Sequence, residues 1–444
     1  MVSPGAAGSE DEAVSIAASN NTEGMALNRP VPAVVAQHAE ESAVLFHVRT
    51  RTVDAPHVRL HHLRRLDDRL AAHLDGLAVA GAYGAHLCAT ALATPGPGEL
   101  FATTALALDT HDSPCLDKVL ALAQALPECR PGVLAAFAWA SAPSLRGITG
   151  GLLASPSAFH RMVGILACGA HRVDPGAPLV AALDDPDSLL REQALRIAGE
   201  GGRLDLQGAC VRALADEDAA CRFQAARSAV LLGDRHAAIR VLHEETGAGR
   251  PHRAHAMGLL LKLASPEQAV PILKSLFESQ ADARELIRGL GTSGDPRWVP
   301  WLIDRMEDAS LSRLAGEAFT LITGLDLAEH DLERRPPEGI ETGPADDPAD
   351  DEVAMDEDDG LPWPDAGKVA DAWAARAPEF PEGVRHFMGA PPSWDHAIQV
   401  RARGCQRQRR AASEYLCLLR PGTPLFPTGA PAWRQQRWLA EPEA

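Results

Sequence analysis

Over the middle of the chain, apolar positions recur with a period of 31 residues, and arginines at Arg191, Arg222, Arg253 and Arg284 mark the phase. Three residues past them stand Ala194, Ala225, Ala256 and Ile287, continued by Ala318; four further on stand Ala198, Ala229, Leu260, Gly291 and Ile322. A second apolar column runs twelve residues ahead, through Leu179, Cys210, Val241, Ile272 and Ile303. Each stripe is short and spaced as one face of a helix. Between the stripes lie breakers and caps, such as Asp184-Asp185-Pro186-Asp187, Asp216-Glu217-Asp218 and Gly294-Asp295-Pro296. One unit therefore reads as helix, turn, helix, turn. It cannot bury its apolar face alone, so neighbouring units must stack.

The phase extends backwards to His160 with Met162, Val163 and Ala167, then to Arg130-Pro131 with Leu134 and Phe137, and to an apolar helix at 100–108. This predicts an all-α chain containing an α-solenoid of roughly seven units over 98–329. Ahead of it, 29–97 is an N-terminal helical region with amphipathic helices at 33–49 and 60–74, and 1–28 reads as a disordered tail. The uncharged stretch 77–98 is broken by His86 and two prolines and is mostly Ala and Gly, which suits a packed helix and not a membrane span. No long alternation of Val, Ile, Thr and aromatics competes as a strand.

Charge changes this picture at one place. Of a net −18, residues 331–370 carry −11, and 340–359 hold ten carboxylates and no basic residue. The region 330–361 is expected to be a flexible acidic linker, since it has too few apolar groups to fold alone. It lacks the ligand frame of an EF-hand. Beyond it, 362–444 holds Trp363, Trp373, Trp394, Trp433 and Trp438, five of the eight tryptophans, with Arg401, Arg403, Arg407, Arg409 and Arg410 on a helix expected over 393–419. Trp and Arg anchor interfaces, so this region is expected to cap the solenoid or to bind a partner.

The candidate chemistry is sparse. Six residues ahead of the arginine column stand Asp185, Asp216 and Glu278, so an Asp-to-Arg bond within or between units accounts for the column as a structural ladder of Arg191, Arg222, Asp185 and Asp216, with Asp185 expected to lose its partner if Arg191 is removed. Gly247 replaces the acid of the third unit and predicts an unpaired Arg253. The expected partner-binding residues are therefore Arg253, Arg284, Trp433, Trp438, Arg407, Arg409 and Arg410. His57 and His61 are four apart, and His62 and His73 lie nearby, but none forms a His-Glu-x-x-His arrangement. The eight cysteines include no Cys-x-x-Cys pair and suit a reduced, cytoplasmic chain. The N-terminus lacks a basic segment and an apolar core, so no secretory signal is read there. The acidic balance argues against nucleic acid.

The run from Asp216-Glu217-Asp218 through Arg222 and Ala225-Ala226 to Leu231-Leu232-Gly233-Asp234 resembles HEAT repeats of the phycobilisome-lyase-like type. Two longer stretches, Ile287-Arg288-Gly289-Leu290-Gly291 with Gly294 to Leu302, and Leu361-Pro362-Trp363-Pro364-Asp365, resemble an uncharacterised proteobacterial family of HEAT-repeat proteins. Members of that family are often encoded beside type VI secretion genes. The resemblance implies a non-enzymatic scaffold or adaptor, with a type VI effector or structural component as its protein partner. It brings no catalytic residue, metal or cofactor. The alternative expectation is a HEAT-repeat enzyme that binds a metal or cofactor through the N-terminal histidines or those around His243-Glu244. The dinuclear iron site of the deoxyhypusine hydroxylases needs several such His-Glu pairs, and this chain has one.

Overall fold

A computed structural model describes residues 30–278, 283–338 and 356–441. Among them the chain is all-α: twenty-two α-helices, five short 3-10 turns and no strand beyond isolated bridges. No described helix is long and apolar enough to cross a membrane. The expected tail, 1–28, and residues 339–355 of the expected linker lie outside the described residues.

The chain divides into two compact units. The first comprises residues up to 46 together with 69–136. Its helix at Pro97–Thr110 is buried from Leu100 to Leu108, a run of apolar residues with two threonines. Phe46 stacks on Phe101 with ring centroids 4.9 Å apart. Val35, Leu77, Cys88 and Leu106 close a second cluster. The uncharged stretch 77–98 is shared by three helices and is not one, because Gly81 takes φ 56° between Leu60–Val79 and Ala82–Ala91, and Pro95-Gly96-Pro97 starts a new helix.

The second unit comprises 47–68 and 137–444. Six of its helices follow one another in space: α1 (Ala158–Ala170), α2 (Ser188–Glu200), α3 (Ala219–Leu231), α4 (Arg253–Leu263), α5 (Ala283–Ser293) and α6 (Ser312–Thr323), each packed on the next. The small-residue columns explain how. Ala194, Ala225, Ala256 and Ile287 are fully buried, as are Ala198 and Ala229. At Gly199 a side-chain carbon would lie 2.4–2.6 Å from Ser228, so α2 and α3 touch at a spot where only glycine fits. Ser228 repays its burial by donating to Leu195 O at 2.7 Å. The phase at the N-terminal end is slightly shifted: Arg161, not His160, occupies the arginine position, 30 residues before Arg191.

The C-terminal region departs from expectation in its helices. Residues 393–419 form two helices, α7 (Trp394–Arg403) and α8 (Gln406–Leu419), broken at Gly404. Cys405 caps the second one: its backbone N–H donates to Gln408 Oε1 at 2.9 Å, and its strand-like backbone bridges Arg59. A last helix, α9 (Ala432–Ala440), follows an extended run that crosses the ends of α2 and α3. There Leu425 N–H donates to Glu200 O at 2.8 Å, and Gly202, at φ 68°, lies against Gly422 O.

Candidate functional site

The arginine column forms a ladder, and its pairing runs between units. In the first turn of each helix the guanidinium reaches back to the turn ahead of it. Arg161 Nη1 donates to Ser155 O and Pro156 O, Arg191 Nη1 to Asp185 O and Pro186 O, and Arg222 Nη1 to Asp216 O and Glu217 O, all within 2.8–3.1 Å. The other donors point onward to the next unit. Arg161 Nη2 meets Asp185 Oδ2 at 2.6 Å. Arg191 grips Asp216 through two bonds, at 3.0 and 2.9 Å. Each acid also closes its own turn, with Asp185 accepting from Asp187 N–H and Asp216 from Asp218 N–H. Asp187 and Asp218 in turn cap α2 and α3. The hydrogen bonds from Arg191 outweigh burial and hold the Asp216 carboxyl below the usual carboxylate range.

This geometry corrects two expectations. Asp185 belongs to Arg161 and not to Arg191, and Arg253 is not the unpaired rung, since it meets Glu285 at 3.0 Å. Because each arginine takes the acid of the following unit, glycine at 247 deprives Arg222, which has no carboxylate partner among the described residues. Arg284 has Ala309 at the corresponding place, and a distant acid replaces it. Asp358, only 3% exposed, receives both Nη atoms of Arg284, at 3.0 and 2.5 Å. Glu357 pairs with Arg288 at 2.7 Å, and Asp356 pairs with Arg313 at 2.7 Å. The last residues of the acidic run are thus bound to helices, while at its start Leu332 is buried and Arg334 N–H donates to Trp363 O. The expected flexible linker is anchored at both ends.

The Trp- and Arg-rich region is largely occupied with the chain's own helices. Arg409 is fully buried and has no acid. It donates to Arg401 O at 2.8 Å, to Gln406, and to Gln435 Oε1 at 2.6 Å, and burial pushes its pKa down to about 10. Arg434 donates to Ala138 O, Trp139 O and Ala140 O, the carbonyls that end the helix Arg130–Trp139. Arg385 does the same for α4 and α5, reaching Leu261 O, Lys262 O, Ala264 O and Ser293 O. Arg407 pairs with Glu317 at 2.8 Å, and Arg410 pairs with Asp54. Trp433 packs edge-on against Trp139 at 4.7 Å, and Trp438 packs on Phe426. Trp433 therefore docks on a helix well ahead of the last unit, whereas Trp373 packs with the core of the last helices and Trp363 lies under Arg313.

Between α1 to α4 and this C-terminal region lies a cleft of about 810 Å³, within the size of ligand pockets. Its helical wall repeats with the ladder. Arg196 and Arg227 are 31 residues apart, as are Gln224 and His255. Phe223 stacks on His252, ring centroids 4.2 Å apart and planes 5° from parallel. Arg227 pairs with Glu200 at 3.0 Å. Desolvation, reinforced by Arg227 and opposed by Glu414, lowers the His255 pKa. Burial works to raise the pKa of Glu414 across the cleft, but Lys262 overrides it and keeps the carboxyl ionised. Gln224 Oε1 is buried without a hydrogen-bond partner. Of the residues expected at a partner site, Arg410 and Trp438 line this cleft. The other lining residues carried a signal only in retrospect: Gln224 and His255 sit two places past the arginine phase.

The histidines of the alternative reading do not converge. His57 lies in a turn ahead of the helix Leu60–Val79 and packs on Gly360, so it shares no helical face with His61. His243 and Glu244 are exposed. Among the described residues no three His, Cys, Asp or Glu side chains are grouped to hold a metal. Ser155 Oγ lies 3.3 Å from His160 Nδ1, but the same oxygen accepts from Ser157 N–H, which makes it a turn contact. All eight cysteines are free and seven are buried; burial pushes the thiols of Cys210, Cys221 and Cys417 up to about 12. A nucleophilic thiol needs the opposite shift.

Comparison with known proteins finds no matching family model, no similar curated protein and no similar solved structure.

Proposed function

We propose that the stacked helix pairs are HEAT-like repeats forming a solenoid, and that the protein is a non-enzymatic scaffold or adaptor that binds another protein through the cleft. The observation that carries this reading is the polar row along the cleft wall. Gln224 and His255 occupy the same place on successive helices, and the Gln224 carbonyl oxygen has no partner. Packed helices lie 8–10 Å apart, and an extended chain advances about 3.3 Å per residue. A partner segment in the polyproline II form, which repeats every three residues at about 3.1 Å each, would thus offer equivalent backbone donors about 9 Å apart along the row. The chain's own run at 421–429 supports this reading, since its Leu425 N–H bonds to Glu200 O.

The setting we propose is type VI secretion effector handling, and its support is the resemblance of the segments at 287–302 and 361–365 alone. A photo-crosslinking amino acid at position 255, in the cleft, should trap one defined protein in cells of the native source. The same group at exposed position 330 should not. Equal or absent crosslinking from both positions would refute the cleft reading, and a trapped protein that is not a secretion component would refute the setting.

A further inference from the structure

We infer that Arg222 is an open rung that docks a carboxylate side chain of a protein partner. Three observations fix this. Its Nη1 is held by Asp216 O and Glu217 O as Arg191 is held by Asp185 O and Pro186 O, so its orientation is that of a rung already engaged on one side. The place from which the next unit would supply an acid holds Gly247, while Arg161 and Arg191 each receive an aspartate from that place. And Arg284, whose corresponding residue is Ala309, binds Asp358 bidentately from a remote part of the chain. A rung deprived of its own acid thus takes a carboxylate from elsewhere, and among the described residues Arg222 has none supplied in cis. The planar fork of a half-buried guanidinium selects a carboxylate in two-point geometry. The partner's contact residue is therefore an aspartate or glutamate. The inference does not depend on the cleft, because Arg222 does not line it.

Two full-length variants test it. Position 247 has an ordinary backbone, and an added side-chain carbon there would meet nothing closer than 3.5 Å. Gly247→Asp should therefore supply the missing acid and raise Tm by about 2 °C, the effect of one modest ion pair. A labelled peptide of residues 356–362 (Asp-Glu-Asp-Asp-Gly-Leu-Pro) serves as the acidic probe. Its salt-sensitive binding to the full chain should weaken about five-fold in Gly247→Asp and in Arg222→Gln, the loss of roughly 1 kcal/mol, and stay unchanged in Arg284→Gln. A Tm that stays or falls in Gly247→Asp overturns the inference, because the donors are then not in register. So does probe binding that survives in Gly247→Asp, or that is lost in Arg284→Gln instead.

Discussion

The helices from 158 to 263 and the segment from 385 to 441 both rely on arginine, and they use it in opposite ways. In the ladder Arg161 and Arg191 bond to carbonyls five and six residues behind them and to an acid 24 or 25 residues ahead. In the C-terminal segment Arg385 reaches back 92 to 124 residues and Arg434 reaches 294 to 296, and both donate to carbonyls at helix ends. A helix leaves its last carbonyls unpaired, and a guanidinium with five donors satisfies several at once. The ladder sets the spacing of neighbours, whereas the C-terminal arginines tie distant elements together.

Breaking the packing beneath the ladder should have the largest effect. Ala225 is fully buried between helices, and Ala225→Asp would place a carboxylate there without a partner, costing about 4 kcal/mol or more; chemical denaturation measures it. Arg385→Ala should cost about 3 kcal/mol, because four helix-end carbonyls lose a charged donor together. Arg191→Ala removes a single rung and should cost about 2 kcal/mol. If Arg191→Ala proves worse than Arg385→Ala, the contrast between spacing and tying is mistaken.

The smallest effect concerns acid titration. Asp216 is held below the usual range by Arg191, so its contribution to stability is fully present above the unfolded value of about 3.9. It is lost as pH falls through the lower folded value. Asp67 has the opposite sign: burial raises its pKa more than Arg49 and the Ala432 N–H lower it. Its cost is therefore present above the folded value and relieved as pH falls through it. Carbon-detected NMR of the side-chain carboxyls should show Asp67 titrating above Asp216, and the reverse order would remove the distinction.

The same contrast decides what the sequence made legible. Ala194, Ala225 and Ala256 could be placed in a helix interface because their surroundings lie within one or two periods of the chain. The rung pairing was half legible. Asp185 and Asp216 were identified, but a 31-residue period places an acid equally well six residues before one arginine and 25 after another, and only the structure separates these. Arg385, Arg409 and Arg434 could not be placed, since their partners are backbone carbonyls, and every residue has one. The cleft was hidden for a related reason: one wall is periodic, and the other is the aperiodic run 424–429.

One long-range bond also has a consequence for how the chain is made. Asp67 is fully buried, and its carboxylate accepts from Ala432 N–H, 365 positions later. At a synthesis rate of about 5–20 residues per second, roughly 20–70 s separate the emergence of these two groups from the ribosome. Throughout that interval Leu63 and Val58, which pack on Ala432, lack their cover. Until α9 is made, the Val58 and Leu63 cluster lacks one of its members, and Asp67 has only Arg49 of its two partners to meet.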